Sequence, residues 1–185
     1  RNPAIANQIA VATAKESRAS GLRWNFDPVL DVGRNPLWPR FCETFGEDPF
    51  LVSTLGVELI KGYEQDGLSE NTAVASCMKH FIGYSDPKSG KDRTEAYISD
   101  ITLWQKHIPS FKAAIDAGAS TIMINSSMIN DVPVHASYRL LTELLRNKLG
   151  FKGMIVTDWE DIIRLHERHK IAETPREAVR IAIEA

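Results

Sequence analysis

The chain has 185 residues, in which 22 Lys and Arg nearly cancel 24 Asp and Glu for a net charge of −2. Such a balance gives no large field for nucleic acid or an anionic membrane surface, and no run approaches the roughly 18 apolar residues of a membrane span. The length is enough for one sizeable core.

The opening Arg1-Asn2-Pro3-Ala4 carries no Met and no signal-peptide pattern, so the chain is expected to be an excerpt. Ile5, Ile9 and Ala12, with Ala6, Ala10 and Ala14 as small neighbours, recur at helical spacing until Ser20-Gly21. A short strand is expected from Leu22 to Phe26. Asp27-Pro28 then opens a long loop, and Asp48-Pro49 caps a helix running to about Gly67. Val74 to His80 forms the second apolar run, followed by a polar loop to Asp100 and a helix reaching Gly118. Thr121 to Ile124 is the third strand, Tyr138 to Lys148 a helix, and Met154 to Val156 the fourth strand. Helical segments follow Trp159 and run from Pro175 to the end. Cys42 and Cys77 sit in no metal-ligand or Cys-x-x-Cys spacing and are expected as buried free thiols.

Strands alternating with helices predict an α/β fold with a parallel sheet and right-handed crossovers. The first strand is not followed by Gly-x-Gly-x-x-Gly and no P-loop pattern occurs, which argues against nucleotide binding. A (β/α)8 TIM-type barrel takes about 250 residues. Residues 1–185 are therefore expected to be the middle portion of such a barrel, incomplete at both ends.

Polar groups lie just beyond each expected strand: Asp27 and Asp31, then Lys79-His80, then Asn125, then Asp158-Trp159. An Asp after a strand also serves as a helix N-cap, but four polar strand ends on one face point to a shared active-site mouth. Only His80 lies at a strand end, with no His-x-x-x-His or Cys pair nearby, which argues against zinc, so no metal and no cofactor are expected. No Gly-x-Ser-x-Gly elbow is present. Lys79 is suited to a Schiff base, as in an aldolase, or to binding hydroxyls. A carboxylate, cations and an aromatic platform together suit a sugar, with Asp158 attacking or stabilising an oxocarbenium-like centre and Trp159 packing on a sugar face.

At these residues the chain resembles glycoside hydrolase family 3, the β-glucosidase and exo-β-glucanase family, over nearly its whole length. Phe26 to Val32, Pro36 to Arg40 and Glu43 to Pro49 look like the family's second-strand signature and following loop. Lys79-His80-Phe81 resembles its lysine-histidine pair, and Phe151 to Trp159 the segment ending in its nucleophile. The resemblance implies Asp158 as nucleophile, with Lys79, His80 and Arg40 binding hydroxyls of the first sugar and Trp159 flanking it. It also places Met123 and Arg164 on the pocket wall, where a core Met and a helix-surface Arg are the plainer readings. Glu43 is expected to hold Arg40, and Arg93 either reaches the pocket or belongs to a solvated charge run.

The chain departs from the family at Pro39, where many members have Gly, and at Ser126, where an aromatic is common. Ile82 to Pro87 lacks the Lys-His-Phe-Pro-Gly-His-Gly pattern of the N-acetylglucosaminidase branch. In the glucosidase branch the acid/base is a glutamate on a second domain of the same protein, which these residues do not contain. The implied partners are an oligosaccharide substrate and that domain, with no nucleic acid and no membrane insertion, and the implied location is periplasmic or secreted. The expectation is thus a retaining exo-acting β-glucosidase. A β-xylosidase or arabinofuranosidase, a sugar-binding relative without the acid, and a Schiff-base aldolase are the alternatives.

Overall fold

A computed structural model describes residues 1–185. Helix α1 (Pro3–Ala19) starts where the Asn2 side chain accepts from the Ala4 N–H, and α2 (Pro49–Glu64) starts in the same way at Asp48. The two helices pack closely. A Cβ added to Gly62 would lie 2.6 Å from both Ala10 Cβ and the Asn7 carbonyl, so only glycine permits the approach. Ala10 and Ala14 meet Leu59, Tyr63 and Val74 in this layer.

The sheet is parallel, with β1 (Cys77–Phe81), β2 (Thr121–Ile124) and β5 (Met154–Val156) in the order β1-β2-β5. Every residue of β2 is buried, as a central strand covered on both faces requires. The crossover from β1 to β2 carries α3, which comprises Asp100–Thr102, a π-wound turn Leu103–His107, and Ile108–Asp116. The crossover from β2 to β5 carries α4 (Arg139–Lys148), π-wound throughout. Met78, Phe81, Phe111, Ile122 and Leu145 join one apolar core between sheet and helices. The chain ends with the short α5 (Arg164–Glu167) and α6 (Pro175–Glu184). No helix is long and apolar enough to cross a membrane.

Several expectations shift. The first strand, expected from Leu22 to Phe26, is not a continuous strand; it runs beside β1 through isolated parallel bridges at Trp24–Ala75 and Val29–Lys79. Its ladder continues past Phe26, since Cys77 N–H donates to Asp27 O at 2.9 Å and Lys79 N–H to Pro28 O at 3.0 Å. Pro28 accepts but has no N–H to return, which breaks regular pairing. The second strand begins at Cys77 rather than Val74, because the Val74 amide is taken by Tyr63 O and the Ser76 amide by Glu64. A hairpin that sequence reading missed, β3 (Met128–Ile129) and β4 (Val132–Pro133), turns at Asn130 and Asp131, both with φ above zero. The thiol expectation holds only in part. Burial pushes the Cys77 thiol up to about 11, whereas Cys42 is exposed, on a short 3₁₀ turn at the surface (Phe41–Glu43).

Glu64 fastens the starts of two strands. Its carboxylate accepts from Ser76 N and Oγ at 3.1 and 2.6 Å, and from Ser120 N and Oγ at 2.9 and 2.7 Å. Removing it leaves several donors without an acceptor. Glu64→Ala is expected to lower unfolding free energy by about 3 kcal/mol, and Glu64→Gln by less, in urea denaturation of the intact protein.

Candidate active site

The carboxyl ends of the sheet supply the site. In register across it lie Lys79 of β1, Met123 of β2 and Val156 of β5, so their side chains share one layer. Met123 is buried beside half-buried Lys79, and Lys79 forms no ion pair.

The ladder skips the next residue. Lys79 pairs with Met123 and Phe81 with Ile124, leaving His80 as a bulge. Its freed N–H donates to Asp31 Oδ2 at 3.0 Å, and its Nδ1 lies 2.8 Å from the same oxygen. Nδ1 is committed to this acceptor, so Nε2 is the ring nitrogen left free for another partner. Both residues are almost completely buried, and Tyr84 packs edge-on against the His80 ring at 4.9 Å. Trp38 in turn packs edge-on against Tyr84, and the Arg40 guanidinium lies 5.7 Å from the Tyr84 ring centre.

Arg40 is forked on Glu43, with Nε and one terminal nitrogen each donating at 2.8 Å to its two oxygens. These bonds hold the Glu43 carboxyl below the ordinary carboxylate range, and the charges of His80 and Lys79 act in the same direction. Glu43 thus senses Arg40, Lys79 and His80 together.

Asp158 follows β5. Its Oδ1 accepts from the Trp159 N–H at 2.6 Å, and its Oδ2 from Arg93 at 2.8 Å and from Ser126 Oγ at 3.2 Å. Burial alone would raise its pKa. The Trp159 amide, the Arg93 charge, Ser126 and the His80 charge outweigh that and leave it below the ordinary value. The group is therefore a carboxylate at neutral pH. Behind it, His135 Nε2 lies 3.0 Å from Thr157 Oγ1, and burial lowers His135 to about 4, so it adds no charge there.

Arg93 joins Asp158 to Asp161, donating to Asp161 Oδ1 at 3.1 Å. Asp161 is buried and also accepts from Arg164 at 2.9 Å. Arg164 therefore reaches the site through Asp161, not by touching Asp158. Trp159 is 73% exposed, its indole free on the open side.

Of the strand-end groups, two are structural. Asp27 accepts from the Tyr63 hydroxyl, and Asn125 is buried, donating to Ile82 O at 2.7 Å and accepting from Ser127 N–H at 2.7 Å. Asp161, Trp38 and Tyr84 escaped the sequence reading. Asp161 three residues before Arg164 was the available signal, since an i,i+3 pair of opposite charge lies on one helix face.

Because Arg93 is a principal cause of the low Asp158 pKa, Arg93→Met is expected to raise it. The check is a carbon-13 NMR titration of Asp-labelled protein, in which the Asp158 carboxyl should titrate at higher pH than in the unaltered protein.

The sequence profile of the Glycosyl hydrolase family 3 N terminal domain matches residues 1–185. The chain is 46% identical to a lysosomal beta glucosidase of Dictyostelium discoideum, over 97% of this chain and 23% of that protein. It is 36% identical to a putative beta-xylosidase of Formosa agariphila, over 100% of this chain and 25% of that one. The crystal structure of a beta-glucosidase from Listeria innocua superposes with a TM-score of 0.95 at 32% identity, covering 99% of this chain and 26% of that one. The chain spans about a quarter of the length of these relatives. Its parallel strands and alternating helices are part of a (β/α)8-type barrel. The chain belongs to glycosyl hydrolase family 3 and matches that family's N-terminal domain.

Proposed function

We propose that this chain carries the nucleophile and most of the first sugar subsite of a retaining, exo-acting β-glucosidase. The observation that carries the reading is Asp158, a carboxylate at the end of β5, kept ionised and oriented by three donors. An ionised, fixed carboxylate is what attack on an anomeric carbon requires. Lys79, the Nε2 of His80 and the Arg40 fork would bind hydroxyls of the sugar, and Trp159 would cover its apolar face. Met123 closes the floor beside Lys79. Arg164 acts through Asp161.

In this reading residues 1–185 are the middle of the catalytic barrel, and further strands and a second domain of the same protein complete the site. A glutamate on that domain serves as acid and base, about 5 to 5.5 Å from Asp158. Asp158 displaces the aglycone, which takes a proton from the acid; water, deprotonated by the same group, then releases the sugar with its β configuration kept. The substrate is a terminal β-D-glucosyl residue, and the enzyme works in an extracytoplasmic compartment. The resemblance to a protein named a putative beta-xylosidase favours a pentose as the second reading. Comparison of 4-nitrophenyl β-glucoside and β-xyloside hydrolysis decides between them.

Asp158→Ala in the intact protein is expected to lose at least about 10⁴-fold in kcat on 4-nitrophenyl β-glucoside. Added azide should restore turnover and give the α-glucosyl azide, because a small anion then occupies the space of the missing carboxylate. A variant with near-normal activity, or one yielding only β-product, would show that Asp158 is not the nucleophile.

A further inference from the structure

Beside the candidate site lies an open cavity of about 830 Å³ whose wall is dominated by cations: Lys88, Lys91, Arg93 and Arg168, against one carboxylate, Glu95. Arg93 is already spent on Asp158 and Asp161. The other three have no carboxylate partner within ion-pair distance. Lys88 instead rests its ammonium 4.9 Å from the Tyr97 ring centre, and Arg168 donates to the backbone carbonyl of Arg93. His169, also on the wall, is lowered by burial and then by the Arg168 charge, so it offers a neutral hydrogen-bonding ring.

The loop carrying the lysines is built, not trailing. Lys88 N–H donates to Glu95 O at 2.9 Å, Ser89 Oγ meets Thr94 Oγ1 at 2.7 Å and accepts from the Lys91 N–H at 3.1 Å. Its ends are thus tied back to back, and the two ammonium groups project from a closed turn. In a chain of net charge −2, three cations left without carboxylates around one hollow make a local positive field that favours an anion. The hollow is also joined to the candidate nucleophile through one residue, because Arg93 is a wall of the cavity and a ligand of Asp158 at once.

We propose that this cavity receives an anionic group, a carboxylate or a sulfate, on the aglycone of the β-glycoside. The assignment rests on the glycosidase reading of Asp158 and narrows its substrate class. The aglycone side then selects acidic oligosaccharides, with Lys88, Lys91 and Arg168 supplying charge and His169 a hydrogen bond.

The test uses the intact protein and three disaccharides that share a β-1,4-linked glucosyl residue: cellobiose, its analogue with a reducing-end uronate, and its analogue with a reducing-end 6-sulfate. The leaving oxygen is the same in each. The unaltered protein is expected to show kcat/KM at least about tenfold higher for one or both anionic substrates, falling as salt rises. In the Lys88→Ser, Lys91→Ser double variant that ratio should fall toward one, and which substrate leads tells carboxylate from sulfate. Equal kcat/KM for all three, or a ratio indifferent to the double variant, overturns the anion site and leaves the glycosidase reading standing. Absence of glucose release from cellobiose and from 4-nitrophenyl β-glucoside alike overturns the glycosidase reading, and the aglycone assignment with it.

Discussion

The constraint on which the site depends is the buried Asp31 carboxylate, which takes two hydrogen bonds from His80 on one oxygen. A regular strand would commit the His80 amide to its neighbour and alternate its side chain with that of Lys79. The bulge releases the amide, Asp31 captures it, and the ring is fixed by the same atom. Asp31 itself sits on the segment that runs beside β1 through the bonds from Cys77 and Lys79. One buried carboxyl group therefore ties that segment to β1 and sets the orientation of a candidate sugar-binding ring. Burying a carboxyl group is costly, the more so because the second Asp31 oxygen has no hydrogen-bond partner, and a costly group retained in this way confines the local structure to one arrangement.

A second set of charges controls Asp158. Its surroundings pull in opposite directions, burial favouring the acid and Arg93, Ser126 and the Trp159 amide favouring the anion. The anion wins. Asp161 contributes at one remove, because it shares Arg93 and Arg164 and so limits where the Arg93 guanidinium can go. The same Arg93 also walls the cationic cavity, so the electrostatics of the carboxylate and of the aglycone side are coupled through a single side chain.

Much of this was legible in the chain. β2 and β5 appeared where continuous apolar runs ended in Asn125 and Asp158; β2 is buried throughout, and β5, last in the order β1-β2-β5, keeps an apolar run although Met154 is exposed. The fork of Arg40 on Glu43 followed from the bidentate match of a carboxylate to a guanidinium, at an arginine that the family resemblance singled out. The first strand was misplaced because Pro28 accepts in the ladder without donating, and the second because Val74 and Ser76 look apolar or small yet serve the end of α2. The β3–β4 hairpin was too short to show alternation, although Asn130-Asp131 suits its turn. Asp27 and Asn125 stood at strand ends as expected but hold structure, which no local pattern distinguishes from function. Arg93 left two readings open in the sequence, and only the folded loop brings it against Asp158.

The most direct measurement is to incubate the intact protein with a 2-deoxy-2-fluoro-β-glucoside bearing a good leaving group and to map the modified peptide by mass spectrometry. The fluorine slows both steps, and an activated aglycone lets the first outrun the second, so a covalent glycosyl-enzyme accumulates. The account predicts the label on Asp158, with activity lost in step with labelling. A label on a different carboxylate, or continued turnover of β-glucosides by unlabelled protein, would contradict it.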